Sequence, residues 1–307
     1  MNLIDVTKEF ATEEQCFEYL EKMRWPNGVR CTVCGNDKLT RYMKKGKTGK
    51  CRPTFQCLEP TCKNQFTATS GTIFQDSHLP LTKWFLAIAL VVDAKKGISA
   101  NQIRAHLGVQ YKTAWHLMHR IRESMQQDTK EQLKGTVEVD ETYIGGRYDR
   151  RRKRGRYEKQ AVMGLIERSG RVEARPIPTA SKSVLVGIIK ERVAPGSNVF
   201  TDELGAYKSV AKTHRHETVN HIALEYARGN VHTNTIENFW SLFKRGLIGS
   251  FHKVSVKHLP RYLNEFTYRF NNRKDADLFS MTLLNLLSGI ALQYKDLTKP
   301  EARQICH

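Results

Sequence analysis

Three acids stand where chemistry could use them: Asp140 in "VEVDETY", Asp202 in "NVFTDE" and Glu237 in "HTNTIENFWSLFKRG". The first two fall in runs that read as strands. A strand interior does not normally hold a carboxylate, because burying an unpaired charge costs several kcal/mol. Bringing such acids together calls for a cation. Mg²⁺ fits, being held by one or two carboxylates with substrate phosphates completing its shell. Two such ions, about 3.5–4 Å apart, stabilise the attacking and leaving oxygens of an in-line phosphoryl displacement. Glu237 and Lys244 lie seven residues apart, roughly two helical turns, so they project from nearly the same line of a helix. They edge an apolar stripe of Ile236, Phe239, Trp240, Phe243 and Leu247. That stripe is the face a helix turns to a core. Asn234-Thr-Ile-Glu237 also has the form of a capping box, with Glu237 reaching back to an Asn234 cap.

A second set of ligand-type residues lies near the N-terminus. Cys31-Thr-Val-Cys34-Gly35 is a two-cysteine knuckle, and Cys57 and Cys62 follow 23 and 28 residues after Cys34. Four thiolates from two hairpin turns make a tetrahedral structural Zn²⁺ site. Cys51 is a possible substitute ligand, while Cys16 and Cys306 look like bystanders. A zinc ribbon serves DNA, RNA and protein partners alike, so by itself it does not name a function.

The elements that must carry these residues can be read from periodicity. "LTKWFLAIALVVDAKKG" is helical in pattern, and "ISANQIRAHLG" follows with Ser99 as N-cap and Gly108 as stop. "VQYKTAWHLMHRIRESMQQ" makes a longer helix. The two helices joined by "LGVQ" give a helix-turn-helix layout. Gln110, Tyr111, Lys112, Thr113 and His116 would lie near bases there, and Arg120 near phosphate. Past residue 134 three strand-like runs precede alternating helix and strand, which describes a mixed α/β domain.

Charge points to the partner. The 307 residues carry 50 Lys+Arg against 31 Asp+Glu, a net charge of +19. A protein this basic most often meets a polyanion, because each phosphate contact releases counterions. The segment "RYDRRRKRGRYEK", with Arg150, Arg151, Arg152, Lys153, Arg154 and Arg156, reads as a mobile hairpin for backbone phosphates. "HLPRYLNEFTYRFNNR" alternates aromatic and basic residues and reads as core with a charged flank. No apolar run approaches the ~20 residues of a membrane span, and the N-terminus lacks a signal-peptide layout. The expectation is a cytoplasmic protein, associated with the nucleoid when bound to DNA, whose cysteines are metal ligands or free thiols rather than disulfides.

The acids in "VEVDETYIGG", "VFTDELGAY" and "HTNTIENFWSLFKRG" resemble the triad of DDE transposases. The 35 residues from Asp202 to Glu237 and the seven from Glu237 to Lys244 are habitual spacings in that superfamily. With the cysteine cluster, "GTIF" at 71–74, the "WF" helix and the tail "GSFHKVSVKHLPRYLNEFTYRFNNR", the chain is similar more narrowly to the ISXO-type insertion-sequence transposases, over roughly residues 15 to 290. The resemblance implies a ribonuclease H-like core in which the first strand, the fourth strand and a later helix supply the acids. It also implies that Asp140 bridges two Mg²⁺ (or Mn²⁺) ions, Asp202 holds one, Glu237 the other, and Lys244 holds a phosphate near the cut. Members of this group carry Asn, Glu or His at the third position, so Asn234 is the alternative third ligand.

The expected organisation is a ribbon segment over 1–76, a helix-turn-helix segment over 77–130, a catalytic domain over 131–290 and a tail over 291–307. The expected job is cleavage of element ends and strand transfer into target DNA. The partners would be terminal inverted repeats, target DNA and a second copy or more of the chain. A nuclease of the same fold, or a non-catalytic DNA-binding regulator, are the competing readings.

Overall fold

The first helices, α1 (Leu3–Glu9) and α2 (Glu13–Arg24), begin at reciprocal caps that pair Asn2 with Asp5 and Thr12 with Gln15. Each cap satisfies two backbone donors that a helix start leaves orphaned. In this computed structural model all residues are described except 47, 48, 50, 128, 146–158, 220–226 and 300–307. Strands β1 (Leu39–Lys45), β2 (Cys51–Cys57) and β3 (Gln65–Phe66) form an antiparallel three-stranded sheet. Helices α3 (Leu81–Asp93), α4 (Ala100–Leu107) and α5 (Tyr111–Ser124) follow, with Ser99 capping α4 and Gly108 closing it.

Next come β4 (Thr136–Ile144), β5 (Gln160–Glu167), β6 (Val172–Pro176), α6 (Lys182–Arg192), β7 (Asn198–Thr201) and β8 (Arg215–Thr218). The chain ends in α7 (Asn234–Gly246), α8 (Leu259–Asn271), α9 (Leu278–Ser288) and α10 (Tyr294–Thr298). No described helix is long and apolar enough to cross a membrane.

The chain divides into two units. One comprises Met1–Ala94, Ile98–Met125 and the described part of Asp275–His307. Its small sheet has a core of Phe55, Phe66, Trp25 and the cysteine cluster. Its helices pack through aromatic rings: Phe279 on α9 lies 6.0 Å from Phe10 and 5.8 Å from Phe85. The Tyr19 hydroxyl meets that of Ser280 at 2.8 Å. This apolar face draws α9 to the N-terminal helices. The ribbon, the helices and the described residues after Lys274 form one unit.

The other unit, Lys95–Gly97 and Gln126–Lys274, is built on a five-stranded mixed sheet in the order β6-β5-β4-β7-β8. β4, β5 and β6 pair antiparallel, while β7 runs parallel to β4 and β8 parallel to β7. Side-chain alternation gives β4 two faces. Val137 and Val139 join Met163, Leu165, Leu185 and Ile189 on the α6 side. Ile144 joins Val162, Ile166, Ile236, Trp240 and Phe266 on the side of α7 and α8. There Tyr262 and Phe266 are core, and the buried Arg269 pairs with Glu265 one turn earlier. The aromatic core expected of α8 is there, whereas Arg269, expected on a charged flank, is buried with Glu265.

Candidate active site and metal centre

Strand register places the first two acids together. Glu138 lies opposite Phe200 in the parallel β4–β7 pair, so two residues further along both chains come Asp140 and, just past β7, Asp202. Odd-numbered β4 residues belong to the α6-side core, which leaves Glu138, Asp140 and Asp202 on the α7 side. Across the other edge of β4, Asp140 lies opposite Gly164. A Cβ at Gly164 would sit 2.5 Å from Trp240 Cζ2 and 2.9 Å from Ile236 Cδ1. The missing side chain therefore lets α7 lie close on the sheet at the level of Asp140.

The start of α7 is held from a distance. Glu138, fully buried, accepts from the backbone N–H of Thr235 at 2.8 Å and of Ile236 at 3.1 Å, and from the Thr235 hydroxyl at 2.9 Å. Arg168 Nε donates to the same carboxylate at 2.8 Å, and His232 Nδ1 stands 3.3 Å away. The other Arg168 nitrogens donate to the carbonyls of Asn230 and His232 at 2.6 and 3.0 Å. The capping box anticipated for Asn234 and Glu237 does not form. Asn234 is the exposed first residue of the helix, and Thr233 occupies the cap position without a side-chain cap bond. Thr233 instead donates its hydroxyl to Glu237 Oε1 at 2.8 Å. Glu237 and Lys244 are both exposed along α7.

Asp140 carries the electrostatic signature of the site. Burial raises its carboxyl to about 7, and the negative charges of Glu141, Asp202 and Glu237 add to the shift. Among the described residues no basic side chain pairs with Asp140 or Asp202. Glu141 on the opposite side of the strand is also raised, chiefly by burial, and accepts from the buried Tyr207 hydroxyl at 2.6 Å. Asp202 Oδ1 accepts from the Leu204 N–H at 3.1 Å, so a local turn fixes it beyond the strand end. Asp140 and Asp202, side by side by strand register, are hard oxygen donors of the kind a divalent cation and phosphate take, and Glu237 acts on Asp140 through its charge. A buried acid raised this far, as Asp140 is, is the kind of group that functional sites collect.

Glu138, Arg168 and Gly164 did not stand out from spacing. A signal for Glu138 was present, since "VEVDETY" places it on the same face as Asp140, and a carboxylate inside an apolar strand needs a partner. The partners come from segments 30 and about 97 residues away, which periodicity cannot supply.

The cysteine site is drawn together more tightly. The sulfurs of Cys31, Cys34, Cys57 and Cys62 all lie within 4.8 Å of one another, and Cys51 is exposed on β2 outside the group. An ion bonded to four sulfurs at about 2.3 Å would set them about 3.8 Å apart. Cys31 and Cys62 are 3.7 Å apart and Cys34 and Cys57 are 3.5 Å apart, so the four fit zinc. Gly35, at φ +75°, turns the first knuckle in a conformation that favours glycine.

Residues 132–271 match the model of the ISXO2-like transposase domain, and residues 11–65 match that of the transposase zinc-ribbon domain. A protein in transposable element ISH50 of Halobacterium salinarum is 31% identical over 281 residues, covering 85% of this chain and 92% of that protein. The chain belongs to the ISXO2-like transposase family. A transposase-like protein of Haemophilus influenzae is 34% identical over 114 residues, 37% of this chain and 90% of that protein.

In the transposase, Gln110, Tyr111, Lys112 and Thr113 are exposed at the start of α5. Arg120 is not available to a phosphate. It is buried, donates to the Gln75 carbonyl at 2.7 Å and lies 5.0 Å over the Trp84 ring. His116 is half-buried, with Nε2 3.1 Å from the Leu292 carbonyl, and Lys112 lies 4.3 Å over Tyr294. Of the basic run at 147–159, Arg150, Arg151, Arg152, Lys153, Arg154 and Arg156 lie outside the described residues.

Proposed function

We propose that this transposase cuts DNA at the ends of its own element and joins those ends to target DNA by metal-dependent phosphoryl transfer in a ribonuclease H-like core. The observation that carries the reading is Asp140. It is a strand carboxyl raised by burial and by Asp202 and Glu237, with no basic partner among the described residues. The acids also come from the first strand of the sheet, the end of the fourth and a helix after the fifth. That order is the one the resemblance to DDE transposases implies.

Asp140, Asp202 and Glu237 would hold two Mg²⁺ or Mn²⁺ ions. When bound, such ions activate an attacking oxygen and stabilise the leaving 3′-oxygen. Asp140 is the acid that feels both others, so it would be the central member of the set that holds the ions, with Asp202 and Glu237 as its partners. The attacking oxygen is that of water at the cutting step and of the freed DNA 3′-hydroxyl at the joining step. No covalent link to the protein is needed. Lys244, two turns along the same helix, steadies a phosphate beside the cut.

Zinc on the four cysteines has a structural role. Helices α4 and α5 act as a helix-turn-helix whose exposed Gln110 to Thr113 edge meets DNA, and the 147–159 run meets backbone phosphates. Joining two element ends calls for at least a dimer on DNA.

The test is cleavage and joining of labelled element-end DNA with Mg²⁺ or Mn²⁺. Asp140→Asn and Glu237→Gln should bind DNA and fail to cut, while Asn234→Ala cuts. If Glu237→Gln cuts and Asn234→Ala does not, the third ligand is Asn234. If Asp140→Asn cuts at the wild-type rate, the metal-dependent reading falls.

A further inference from the structure

A helix N-terminus is ordinarily satisfied by its own N-cap, whose side chain accepts from the N–H groups of the second and third helical residues. In α7 those two donors belong to Thr235 and Ile236, and both bonds go to Glu138. The acceptor is thus a carboxylate from the middle of β4, 97 residues earlier. Its negative charge also suits the positive end of the helix. Arg168 closes the arrangement. It bonds the carboxylate and the carbonyls of Asn230 and His232, so the segment leading into α7 is tied to the same strand.

Thr233, at the cap position, makes no side-chain cap bond. Its hydroxyl, buried with its residue at 1% exposure, is not spent on the cap and donates to Glu237 Oε1. Glu138 and Asp140 lie on one face of one strand, two residues apart. A single rigid element therefore carries the first acid and grips the helix that carries the third.

We propose that Glu138, Arg168 and Thr233 are positioning residues that set Glu237 against Asp140 for metal binding. The inference rests on the reading of Asp140, Asp202 and Glu237 as the metal-holding acids. Glu138 and Arg168 fix where α7 begins. Thr233 fixes the carboxylate of Glu237 as a partner outside the ligand set, the kind of contact whose loss weakens metal affinity by about 10- to 100-fold.

The experiment is a Mn²⁺ titration of the zinc-loaded, DNA-free protein followed by electron paramagnetic resonance, with thermal unfolding and DNA affinity measured alongside. The variants are Thr233→Val, Thr233→Ser, Glu138→Gln and Asp140→Asn. Valine keeps the shape of threonine and removes only the hydroxyl. Thr233→Val should weaken Mn²⁺ binding by about 10-fold with an unchanged melting temperature and DNA affinity, and Thr233→Ser should restore it to within about twofold. Glu138→Gln should weaken it by at least as much as Thr233→Val. If Asp140→Asn abolishes Mn²⁺ binding but Thr233→Val and Glu138→Gln bind as wild type does, the positioning role is wrong and the acidic site stands. If Asp140→Asn itself binds Mn²⁺ normally, the acidic site is wrong. Should Glu138→Gln fail to fold, the valine and serine pair decides.

Discussion

Glu138 and Asp140 occupy one strand and one face, yet the two halves of β4 treat their carboxylates in opposite ways. Around Glu138 the fold spends an arginine, two helix amides and a hydroxyl on a single buried charge. Around Asp140 it supplies three further acids and, among the described residues, no basic partner. A buried charge is tolerated when paired and hydrogen-bonded, and costly otherwise. The first carboxylate is thus part of the scaffold. The second is a destabilising element that the scaffold must carry. On the proposed reading, the difference separates a carboxylate that serves the fold from one that serves the chemistry, although both stand on one face of one strand.

The largest effect expected from breaking this contrast is on activity. Asp140→Asn should lower the single-turnover rate of end cleavage by on the order of 10³-fold or more, with DNA affinity retained. A smaller loss would mean that the unpaired acid is not central to the reaction.

Glu138→Ala should act on stability instead. It strands the Arg168 charge and two helix amides, so urea unfolding should report a loss of roughly 3–5 kcal/mol. A loss below about 1 kcal/mol, the scale of an exposed ion pair, would show that the pairing around Glu138 does not hold α7.

Between the two lies Gly164→Ala. The added methyl meets Trp240 and Ile236, and overpacking of this kind costs about 1–3 kcal/mol. Calorimetry should show that loss, together with slower cleavage, because α7 and Glu237 would be lifted from the sheet beside Asp140. Unchanged cleavage in a destabilised variant would uncouple helix seating from the site.

The smallest effect sharpens the comparison by its sign. In the folded protein without divalent metal the Asp140 carboxyl is raised from 3.8 to about 7, so the native state holds a proton that the unfolded chain releases. Stability should therefore be lost as pH rises from about 4 through about 7. Asp140→Asn removes that loss. At pH 8 it should be more stable than wild type by about 1–2 kcal/mol, a figure discounted for the partial exposure of the group. The two proteins should converge near pH 4. The same amide change two residues earlier, Glu138→Gln, should destabilise at both pH values.

The parts of the site legible in the sequence are those with local signatures. Cys31, Cys34, Cys57 and Cys62 were marked by knuckle spacing, and their sulfurs do converge. Strand period marked Asp140 on β4, and helical period put Glu237 and Lys244 on one helix with the apolar stripe turned into the core. Arg120 misled because a basic residue on an amphipathic helix looks solvent-facing until its neighbours are known. Here Gln75 and Trp84 draw it inward. The Asn234–Glu237 capping box misled for a related reason: a local cap pattern is only one bidder for the helix amides, and the buried carboxylate of Glu138 outbids it.

By itself, then, the sequence determined the main kinds of element, the four-cysteine cluster and the family, because strand and helix periods and cysteine spacing act over a few residues and survive any tertiary arrangement. Only the tertiary structure decided which carboxylate is satisfied and which, among the described residues, has no basic partner. That depends on where Arg168, the start of α7 and the Gly164 gap arrive around β4. Electrostatic energy follows distance in space, and the chain separations involved, from 30 to 98 residues, carry no record of that distance.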